Sequence, residues 1–581
     1  MSRADSLTTV RRIGTPVGVA VLGIVIAFAV SLLLPNYYVF LGASAIVAAI
    51  TLLGLGVVTG SAGMISLCQM SFATIGAWVV TGLNVMDAPG DPVVWMICGG
   101  IVAGLLGVLV GLPALRLRGV NLAVVTLGFA SAVHLTLIQL QFPGATAGVR
   151  VLRPDYISTD REFFVFAAVT LTVCALAVYG LKATRIGAGW RVVAFSERGT
   201  ASAGASVSTT KLGAFAVSAM LAGISGGLVT MQVGFASPAT FAVLMSLALY
   251  VLAVVIGSHL IDMAIVGGIM WVAIPEILKQ FDVPQDWAFV VFGVLGIQAI
   301  SSRSNLGEGL RAVLRSRRPP HAATTDIIGA AAPCAMSAAP AVAADAPVVL
   351  SATGLTVRFG TVAALDGVDV TLHDGEIVGL IGPNGAGKST LTDVLTGFLP
   401  RHEGDVTLDG ASLRGASPTR RARLGLRRTF QQDRVPPGLT IEAYVRFVAR
   451  RRIPRTEIDD VLDFFGCPGR TTALAHVDVG TRRLIEVAAQ LAARPRVLIL
   501  DEPAAGLSHE AHIALGERLV QVPARFGASI ILIEHDLDLV RRVCPRIVVL
   551  DFGKVVADGG QDAVLSNPRV RAAYMGDKEL L

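Results

Sequence analysis

Hydrophobicity along this 581-residue chain changes character twice. Through Ser301 the apolar residues come in long unbroken runs, with no wet face repeating every third or fourth position. Ten such runs stand at 17–34, 38–58, 66–86, 93–115, 121–140, 163–181, 212–233, 241–257, 263–279 and 287–301. Each approaches the roughly 20 residues that cross a hydrocarbon core as a helix. The last three are short or closely spaced, so the pattern predicts eight to ten spans. From Arg303 the chain turns basic, and Pro319 to Pro347 is rich in Ala and Pro with almost no large apolar side chain, the composition of a flexible connector. After Val348, strand-length apolar runs alternate with amphipathic helix-length runs, the signature of an α/β domain. The expected architecture is a polytopic α-helical membrane domain (8–10 spans) over 1–310, a linker over 311–347 and an α/β domain over 348–581.

Charge supports the spans and orients them. With ten spans and the N-terminus inside, the inner segments carry Arg3, Arg11, Arg12, Arg116, Arg118, Lys182, Arg185, Arg191, Arg198, Lys211 and the cluster Arg303 to Arg318. The outer turns near Pro35, Asp87 to Asp91, Gly234 to Thr240 and Phe281 to Asp286 have no Lys or Arg. Only the outer loop Gln141 to Glu162 does, at Arg150, Arg153 and Arg161. Basic residues collecting on the cytoplasmic side put both ends of the membrane half in the cytoplasm.

Composition narrows the class further. A 53% hydrophobic content and a mean hydropathy of +0.67 exceed what a soluble enzyme carries, and the excess lies in the membrane half. The net charge of +6 is modest and its arginines sit between apolar runs, which indicates membrane orientation rather than nucleic acid. Six scattered cysteines (68, 98, 174, 334, 467, 544) show neither a C-x-x-C pair nor a His at metal spacing, and read as reduced thiols. The first run, Val17 to Leu34, is longer than a signal-peptide core, lacks a small-residue cleavage site after it, and reads as a retained span. His134, Asp262 and Glu276 are ionisable groups in or near spans and therefore weak candidates for a solute path. The small residues of Ala219 to Gly227 read first as close helix packing in lipid.

The strongest chemistry is Gly382 to Thr390, GPNGAGKST, which fits G-x-x-x-x-G-K-[ST] at every fixed position. It follows the apolar run Glu376 to Ile381, as a strand would, and precedes the helix-like Leu391 to Leu395. Gly385 and Gly387 let the backbone curl so that successive N–H groups converge on phosphate oxygens, and the following helix adds its positive end. Lys388 can reach β- and γ-phosphates, and the Ser389 hydroxyl can hold Mg²⁺. Gly382, Asn384, Gly385, Ala386, Gly387, Lys388, Ser389 and Thr390 are the expected nucleotide cradle, with ATP and Mg²⁺ as ligands.

Gly60 to Trp78, GSAGMISLCQMSFATIGAW, resembles a hallmark stretch of the branched-chain amino acid ABC permeases, as does Leu115 to Ala130, LRLRGVNLAVVTLGFA. Thr184 to Leu228 and Ser237 to Leu278 follow the same pattern, so the resemblance covers nearly all of 15–310. Cys68 and Gln69 depart from it, standing where a Gly-His pair is common. The resemblance implies that the inner loop between Leu181 and Leu212, with Trp190, Arg191, Glu197, Ala201, Ala203 and Gly204, forms a short coupling helix on the ATPase surface.

The second half is similar to ABC ATPases in the order of its remaining motifs. The similarity implies that Phe359 stacks on adenine, that Gln431 of Arg428-Thr429-Phe430-Gln431 reaches Mg²⁺ and the attacking water, and that His535 contacts the γ-phosphate. Val497 to Glu502, VLILDE, is an apolar strand ending in two acids. Asp501 is expected to hold Mg²⁺ and Glu502 to polarise water. Asn567 to Gly576, NPRVRAAYMG, resembles the end of branched-chain amino acid transporter ATPases. The signature loop L-S-G-G-Q, which completes the other subunit's site, corresponds to Val477 to Thr481, VDVGT. Gly480 survives, while Asp478 stands at the serine. Asp478 suits a helix cap, and its charge also disfavours a γ-phosphate held against it, by a few kcal/mol at most at an effective dielectric of about 20. The expectation is an impaired partner site beside a competent own site, which turnover of the Glu502→Gln chain checks: undiminished hydrolysis rejects it.

The resemblance implies an ATP-driven importer of branched-chain or related amino acids in the bacterial cytoplasmic membrane, with the ATPase domain and both termini cytoplasmic. Implied partners are a second permease and second ABC ATPase (a heteromer over a homodimer) and an extracytoplasmic solute-binding protein. An importer of urea, short amides or another polar solute is the nearest alternative, and an ATP-binding regulator or channel with little turnover is the alternative from another class.

Overall fold

The computed structural model describes residues 3–117, 119–302, 305–316, 346–432 and 434–570; side chains are described from residue 17, apart from 114 and 312–316. Arg118, Arg303, Arg317, Arg318, Cys334, most of the Ala/Pro-rich connector and residues 571–576 lie outside the described residues. The chain divides into two compact units, one of Met1–Trp190 with Ser208–His321 and one of Arg191–Val207 with Ala322–Leu581.

In the membrane unit each of the ten apolar runs carries a helix. These are α1 (Arg3–Leu33), α2 (Asn36–Leu55), α3 (Gln69–Val85), α4 (Pro92–Ala114), α5 (Val120–Leu140) and α6 (Asp160–Ala183). After α7 (Arg185–Phe195) and α8 (Glu197–Ser202) follow α9 (Val207–Val233), α10 (Val243–Ile256), α11 (Ile261–Gln280), α12 (Trp287–Ser302) and α13 (Leu306–Ser316). Among the described residues, six stretches are long and apolar enough to cross a bilayer by length and composition alone, in α2, α4, α5, α6, α9 and α11. The apolar parts of α1, α10 and α12 are shorter.

Burial separates a central helix from lipid-facing ones. The apolar window of α2 is 78% buried and that of α11 only 22%. Along α4, Ile97, Ile101, Leu105, Leu109 and Leu112 are exposed one above another. Such an aliphatic stripe is stable against acyl chains, not water. Inside the bundle, glycines let backbones touch. A Cβ on Gly76 would lie 2.0 Å from the Gly223 carbonyl oxygen, and one on Gly226 would lie 1.8 Å from that of Ala73. The Ala219–Gly227 stretch is thus a close crossing of α9 with α3.

The family-like stretch at Gly60 is where sequence and structure diverge. The 66–86 run reads as one span, yet helix α3 begins only at Gln69, and α2 ends in a π-helical turn, Gly56–Ser61. The backbone between them is irregular and buried. Hydroxyls on distant helices serve this backbone and the start of α3: the Leu67 N–H donates to Thr126 Oγ1 at 3.1 Å, and the Met70 N–H, in the first turn of α3, to Ser246 Oγ at 3.0 Å. Non-helical chain at membrane depth needs such internal partners. The basic exception in the outer loop is also explained. Arg153 donates to the carbonyls of Met231 (2.9 Å) and Gln232 (2.7 Å) at the end of α9 and pairs with Asp160. That caps a helix C-terminus with a cation. Past residue 310 the chain stays helical to Ser316, and Arg311 pairs with Asp262 at 2.8 Å, which gives Asp262 a structural partner.

The second unit holds two sheets. Strands β1 (Val348–Phe359), β2 (Val362–His373), β4 (Glu403–Leu408) and β5 (Ala411–Ser412) form an antiparallel sheet in the order β2-β1-β4-β5. The larger sheet is ordered β10-β9-β3-β8-β7-β6, from β3 (Ile377–Ile381), β6 (Leu426–Arg428), β7 (Val497–Asp501), β8 (Ser529–Ile533), β9 (Arg546–Asp551) and β10 (Lys554–Gly560). All its pairings are parallel except β9–β10. Every residue of β3, β7 and β8 is buried, as strands covered on both faces must be. Around the sheets lie α14 (Lys388–Leu395), α15 (Pro418–Leu424), α16 (Ile441–Ala449), α17 (Arg455–Phe464), α18 (Val479–Leu491), α19 (His509–Phe526), α20 (Leu537–Val543) and α21 (Gln561–Leu565). Burial pushes the Cys467 thiol up to about 12 and raises Cys544 as well, so both are inert core groups.

Candidate nucleotide site

Parallel pairing decides where the motifs meet. Leu380 of β3 stands opposite Ile533 of β8, Ile533 opposite Asp501 of β7, and Ile499 of β7 opposite Arg428 of β6. The segments leaving those four strands therefore emerge side by side at the carboxyl edge, where open α/β sheets place their ligands. They are Gly382–Gly387, Glu534–His535, Glu502 and Thr429–Gln431.

The glycine loop owes its composition to sterics as well as to phosphate. A Cβ at Gly382 would come within 2.1 Å of the Leu550 carbonyl oxygen, and one at Gly387 within 2.6 Å of that of Ala364. Gly387 also has φ +105° as the residue preceding α14, whose first N–H groups have no side-chain cap. Ala386 is buried, while Asn384, Gly385 and Ser389 are exposed and Thr390 is half-buried. The Lys388 ammonium donates to the Gly382 (2.6 Å) and Pro383 (2.9 Å) carbonyls. Burial lowers its pKa from the ordinary lysine value, against the opposing pull of Glu502 and Asp501. Phe359 ends β1 with its ring exposed, on the hairpin whose Ala364 faces Gly387.

Three predicted catalytic residues converge on one carboxylate. Glu502 Oε2 accepts from Gln431 Nε2 at 2.9 Å, and its Oε1 lies 2.8 Å from His535 Nε2. Glu502 is held at φ +49°, a left-handed backbone that a non-glycine residue adopts at a cost of about 1–2 kcal/mol. Its N–H donates to Ile533 O at 2.9 Å. Arg483 of α18 clamps the other side, with NH1 donating to Glu502 O at 2.7 Å and NH2 to Gln431 O at 2.6 Å. Glu534 is buried and accepts from the Ala504 and His535 N–H groups. Burial raises its pKa above the usual carboxylate range, partly offset by those two donors.

Asp501 takes a charged partner. Its Oδ2 accepts from Arg428 NH2 at 2.8 Å, and its N–H donates to Thr429 Oγ1 at 3.3 Å. Arg428 is 3% exposed and also reaches Asp393 of α14 at 2.6 Å. Among the described residues no cluster of three or more His, Cys, Asp or Glu could hold a metal. The oxygen set of Asp501, Ser389 and Gln431 still suits Mg²⁺, an ion that keeps waters and substrate phosphates and takes only one or two carboxylates.

The signature position folds as a helix start. Asp478 is the N-cap of α18 and accepts from Thr481 N–H at 2.9 Å, so the helix starts at Val479, ahead of the helix-like run that begins at Arg482. Gly480 is buried, and a Cβ there would meet the Gly506 carbonyl oxygen and Leu507 at 2.9 Å each. Of the inner-loop residues, Trp190 is fully buried in the membrane unit's apolar cluster. The rest belong to the ATPase unit. Arg191 donates to Gly438 O at 2.8 Å, Glu197 opens α8, Ala201 is buried, and the Gly204 carbonyl accepts from Arg423 Nε at 2.8 Å.

Arg483, Arg428, Asp393 and Glu534 escape sequence reading. Arg483 looks like one more charge on a solvated helix face. Only the buried strand position of Arg428, two residues before Phe430, hints at a role.

A glycine phosphate loop, an Asp-Glu strand end and a glutamine and histidine meeting on the glutamate define an ABC-type ATPase, here fused to a membrane bundle. The ABC transporter family profile matches residues 365–505, and that of the branched-chain amino acid transport system permease component matches 37–300. The chain is 33% identical over 253 residues to the high-affinity branched-chain amino acid transport ATP-binding protein BraF of Pseudomonas aeruginosa, covering 39% of this chain and 98% of that protein. It is 32% identical over 250 residues to LivG of Salmonella typhimurium, the corresponding ATP-binding protein, with the same two shares. A solved ATP-binding cassette of an ABC transporter in its ADP conformation is 26% identical, with TM-score 0.36, over 40% of this chain and all of that one. The chain belongs to the branched-chain amino acid type of ABC transporter, with permease and ATP-binding parts in one polypeptide. Its ATPase domain binds ATP and couples hydrolysis to transport.

Proposed function

We propose that this chain imports a small solute with an aliphatic body, a branched-chain or related amino acid, across the bacterial cytoplasmic membrane. The observation that carries the ATP-driven part is the meeting of Gln431 and His535 on the Glu502 carboxylate. In this reading Glu502 polarises the attacking water, Gln431 orients it, and His535 contacts the γ-phosphate. Lys388 and the loop Gly382, Asn384, Gly385, Ala386, Gly387, Ser389 and Thr390 bind the triphosphate, and Phe359 stacks on adenine. Mg²⁺, held by Asp501, Ser389 and Gln431, supplies charge neutralisation at the phosphates when bound.

A cavity in the membrane unit supports the solute class. It measures about 370 Å³ and is walled by Val47, Val229, Leu249, Trp271, Phe289 and Phe292. Its polar groups are few: Ser44, Thr51, Ser225 and Gln232 within, with Thr240, Gln285 and Asp286 exposed. No Lys or Arg lines it, and neither does His134, Asp262 or Glu276. Such walls suit an uncharged or zwitterionic molecule with an apolar side chain better than urea.

The chain supplies one permease and one ATPase, so the complete assembly adds a second of each and an extracytoplasmic solute-binding protein. Both termini are cytoplasmic, on the charge pattern given above. Asp478 at the signature serine favours a heteromer in which the site completed by Asp478 and Gly480 turns over poorly. The test is uptake of radiolabelled leucine by proteoliposomes holding the complete transporter and its binding protein. Uptake that needs ATP and disappears with Lys388→Ala is expected, and leucine uptake indifferent to Lys388 would overturn the reading.

A further inference from the structure

The ATPase unit holds a line of alternating charges that ends on Asp501 and whose other members the reaction described so far does not use. It begins on α8, where Arg198 NH2 lies 3.3 Å from Asp393 Oδ2. Asp393 sits on α14, the helix that continues the phosphate loop, and its Oδ1 takes Arg428 NH1 at 2.6 Å. Arg428 NH2 then reaches Asp501 Oδ2 at 2.8 Å. An aromatic line runs alongside. Arg198 lies over the Phe398 ring at 5.3 Å, Phe398 meets Phe430 edge-on at 5.8 Å, and Arg428 lies over Phe430 at 5.0 Å. Phe430 is the residue before Gln431.

The two ends of this line differ in kind. Arg428 is buried, so removing either carboxylate would take the acceptor from one of its two terminal nitrogens inside the unit, a costly outcome. The Arg198 side chain is 51% exposed, and an ion pair that wet contributes little to stability. Arg198 is therefore poorly placed to hold the fold and well placed to report where α8 sits. From the geometry we infer that Arg198 and Asp393 are positioning residues that tie the seating of α8 to the Asp501 carboxylate through Arg428. This rests on the reading of the inner loop between Leu181 and Leu212, which includes α8, as the coupling segment. If α8 shifts, Asp393 loses one of two guanidinium partners, Arg428 redistributes between Asp393 and Asp501, and Asp501 moves with it. The link is reciprocal: a change at Asp501 must be felt at α8 by the same free energy.

The test uses the complete transporter in nanodiscs with its binding protein. Amide hydrogen exchange of Ser196–Ala205 is measured in wild type, Asp501→Asn, Arg198→Gln and the double variant, without nucleotide. Asp501→Asn is expected to change exchange in this segment by about threefold or more, the size of a modest pairwise coupling. In the Arg198→Gln background that response is expected to vanish, and Arg198→Lys, which keeps the charge, is expected to retain it. A response of equal size with and without Arg198, or none in either, overturns the inference. In a second arm, Arg198→Gln should cut the stimulation of ATPase by leucine-loaded binding protein about threefold or more, with basal turnover and binding of a fluorescent ATP analogue in EDTA within about twofold of wild type. Stimulation equal to wild type overturns the inference. Wild type that leucine fails to stimulate counts against the solute assignment alone, because the exchange arm needs no solute.

Discussion

Arg483→Met is the perturbation with the clearest expected cost. The guanidinium holds the carbonyls of Glu502 and Gln431 together at 2.7 and 2.6 Å, while methionine keeps the stem and removes both donors. A hydrogen bond from a charged donor contributes about 1.5–3 kcal/mol. The bond to Glu502 matters most for turnover, because it fixes the carbonyl of a residue whose φ of +49° is itself unfavourable. The remaining restraints on Glu502 are its N–H to Ile533 O, its carboxylate contacts, and a longer 3.3 Å hydrogen bond from the Ala505 N–H to the same carbonyl, which a neutral donor makes weaker than the guanidinium's. If that one bond's worth of positioning is lost from the transition state, kcat falls about 10- to 100-fold at about 1.4 kcal/mol per decade. Lys388 and the glycine loop are untouched, so KM for ATP should change less than about threefold. Arg483→Lys offers a point donor that cannot span two carbonyls and should recover only part of the rate. Steady-state ATPase of the reconstituted transporter, at saturating and limiting ATP, gives both constants. Arg483→Met with kcat within about twofold of wild type, or with the loss confined to KM, would refute the clamp.

Two further outcomes are expected. Gly226→Ala should destabilise the membrane unit by about 1–3 kcal/mol or more, since the added Cβ would lie 1.8 Å from a backbone oxygen that cannot rotate away. A melting curve of the detergent-solubilised full chain unchanged from wild type would contradict the close crossing of α3 and α9. Asp478→Ala should weaken the start of α18 by about 1 kcal/mol, read as faster amide exchange at Thr481. Burial raises the Asp478 pKa, but the Thr481 N–H and its neighbours outweigh it and leave a net value below the usual 3.8. A depressed folded value means the cap's contribution is fully present above the unfolded pKa and is lost as pH falls through the folded one. The gap between wild type and Asp478→Ala should thus stay constant from neutral pH down to about 5, narrowing only in stronger acid. A gap that closes at mildly acidic pH would show that the carboxylate is not the cap.

The ten apolar runs were legible because bilayer thickness sets a minimum length that any crossing helix must show in sequence. The irregular segment before Gln69 was not. Its Leu67 donor and the Met70 donor just after it are satisfied by Thr126 and Ser246, residues far along the chain whose hydroxyls look unremarkable in apolar helices. In the ATPase half, the glycine loop, Asp501, Glu502 and His535 could be read because each ends or follows an apolar strand, and parallel pairing must bring those strand ends to one edge, whereas Gln431 follows the strand Leu426–Arg428 and is legible only through the family resemblance. Arg428, Asp393 and Arg483 act through geometry that no spacing reveals. Asp393 lies on the outer turn of a short helix and Arg428 in a three-residue strand, so their pairing appears only once α14 and β6 are folded. Nor was the ion pair of Arg311 with Asp262 legible, since its partners stand 49 residues apart on two helices.

The crossing of α3 and α9 bears on how this protein can change its diet. Both helices line the cavity proposed for the solute, through Met70 and Ala73 on one and Ser225, Val229 and Gln232 on the other. Because main chain rests on main chain at Gly76/Gly223 and Gly226/Ala73, no side-chain change can bring the two helices closer. Trp271, Phe289 and Phe292 also line the cavity, and their bulk can be exchanged without touching that crossing. A lineage adapting to smaller or larger cargo has its freedom on the aromatic side, while the glycine side stays as the fixed jaw of the vice.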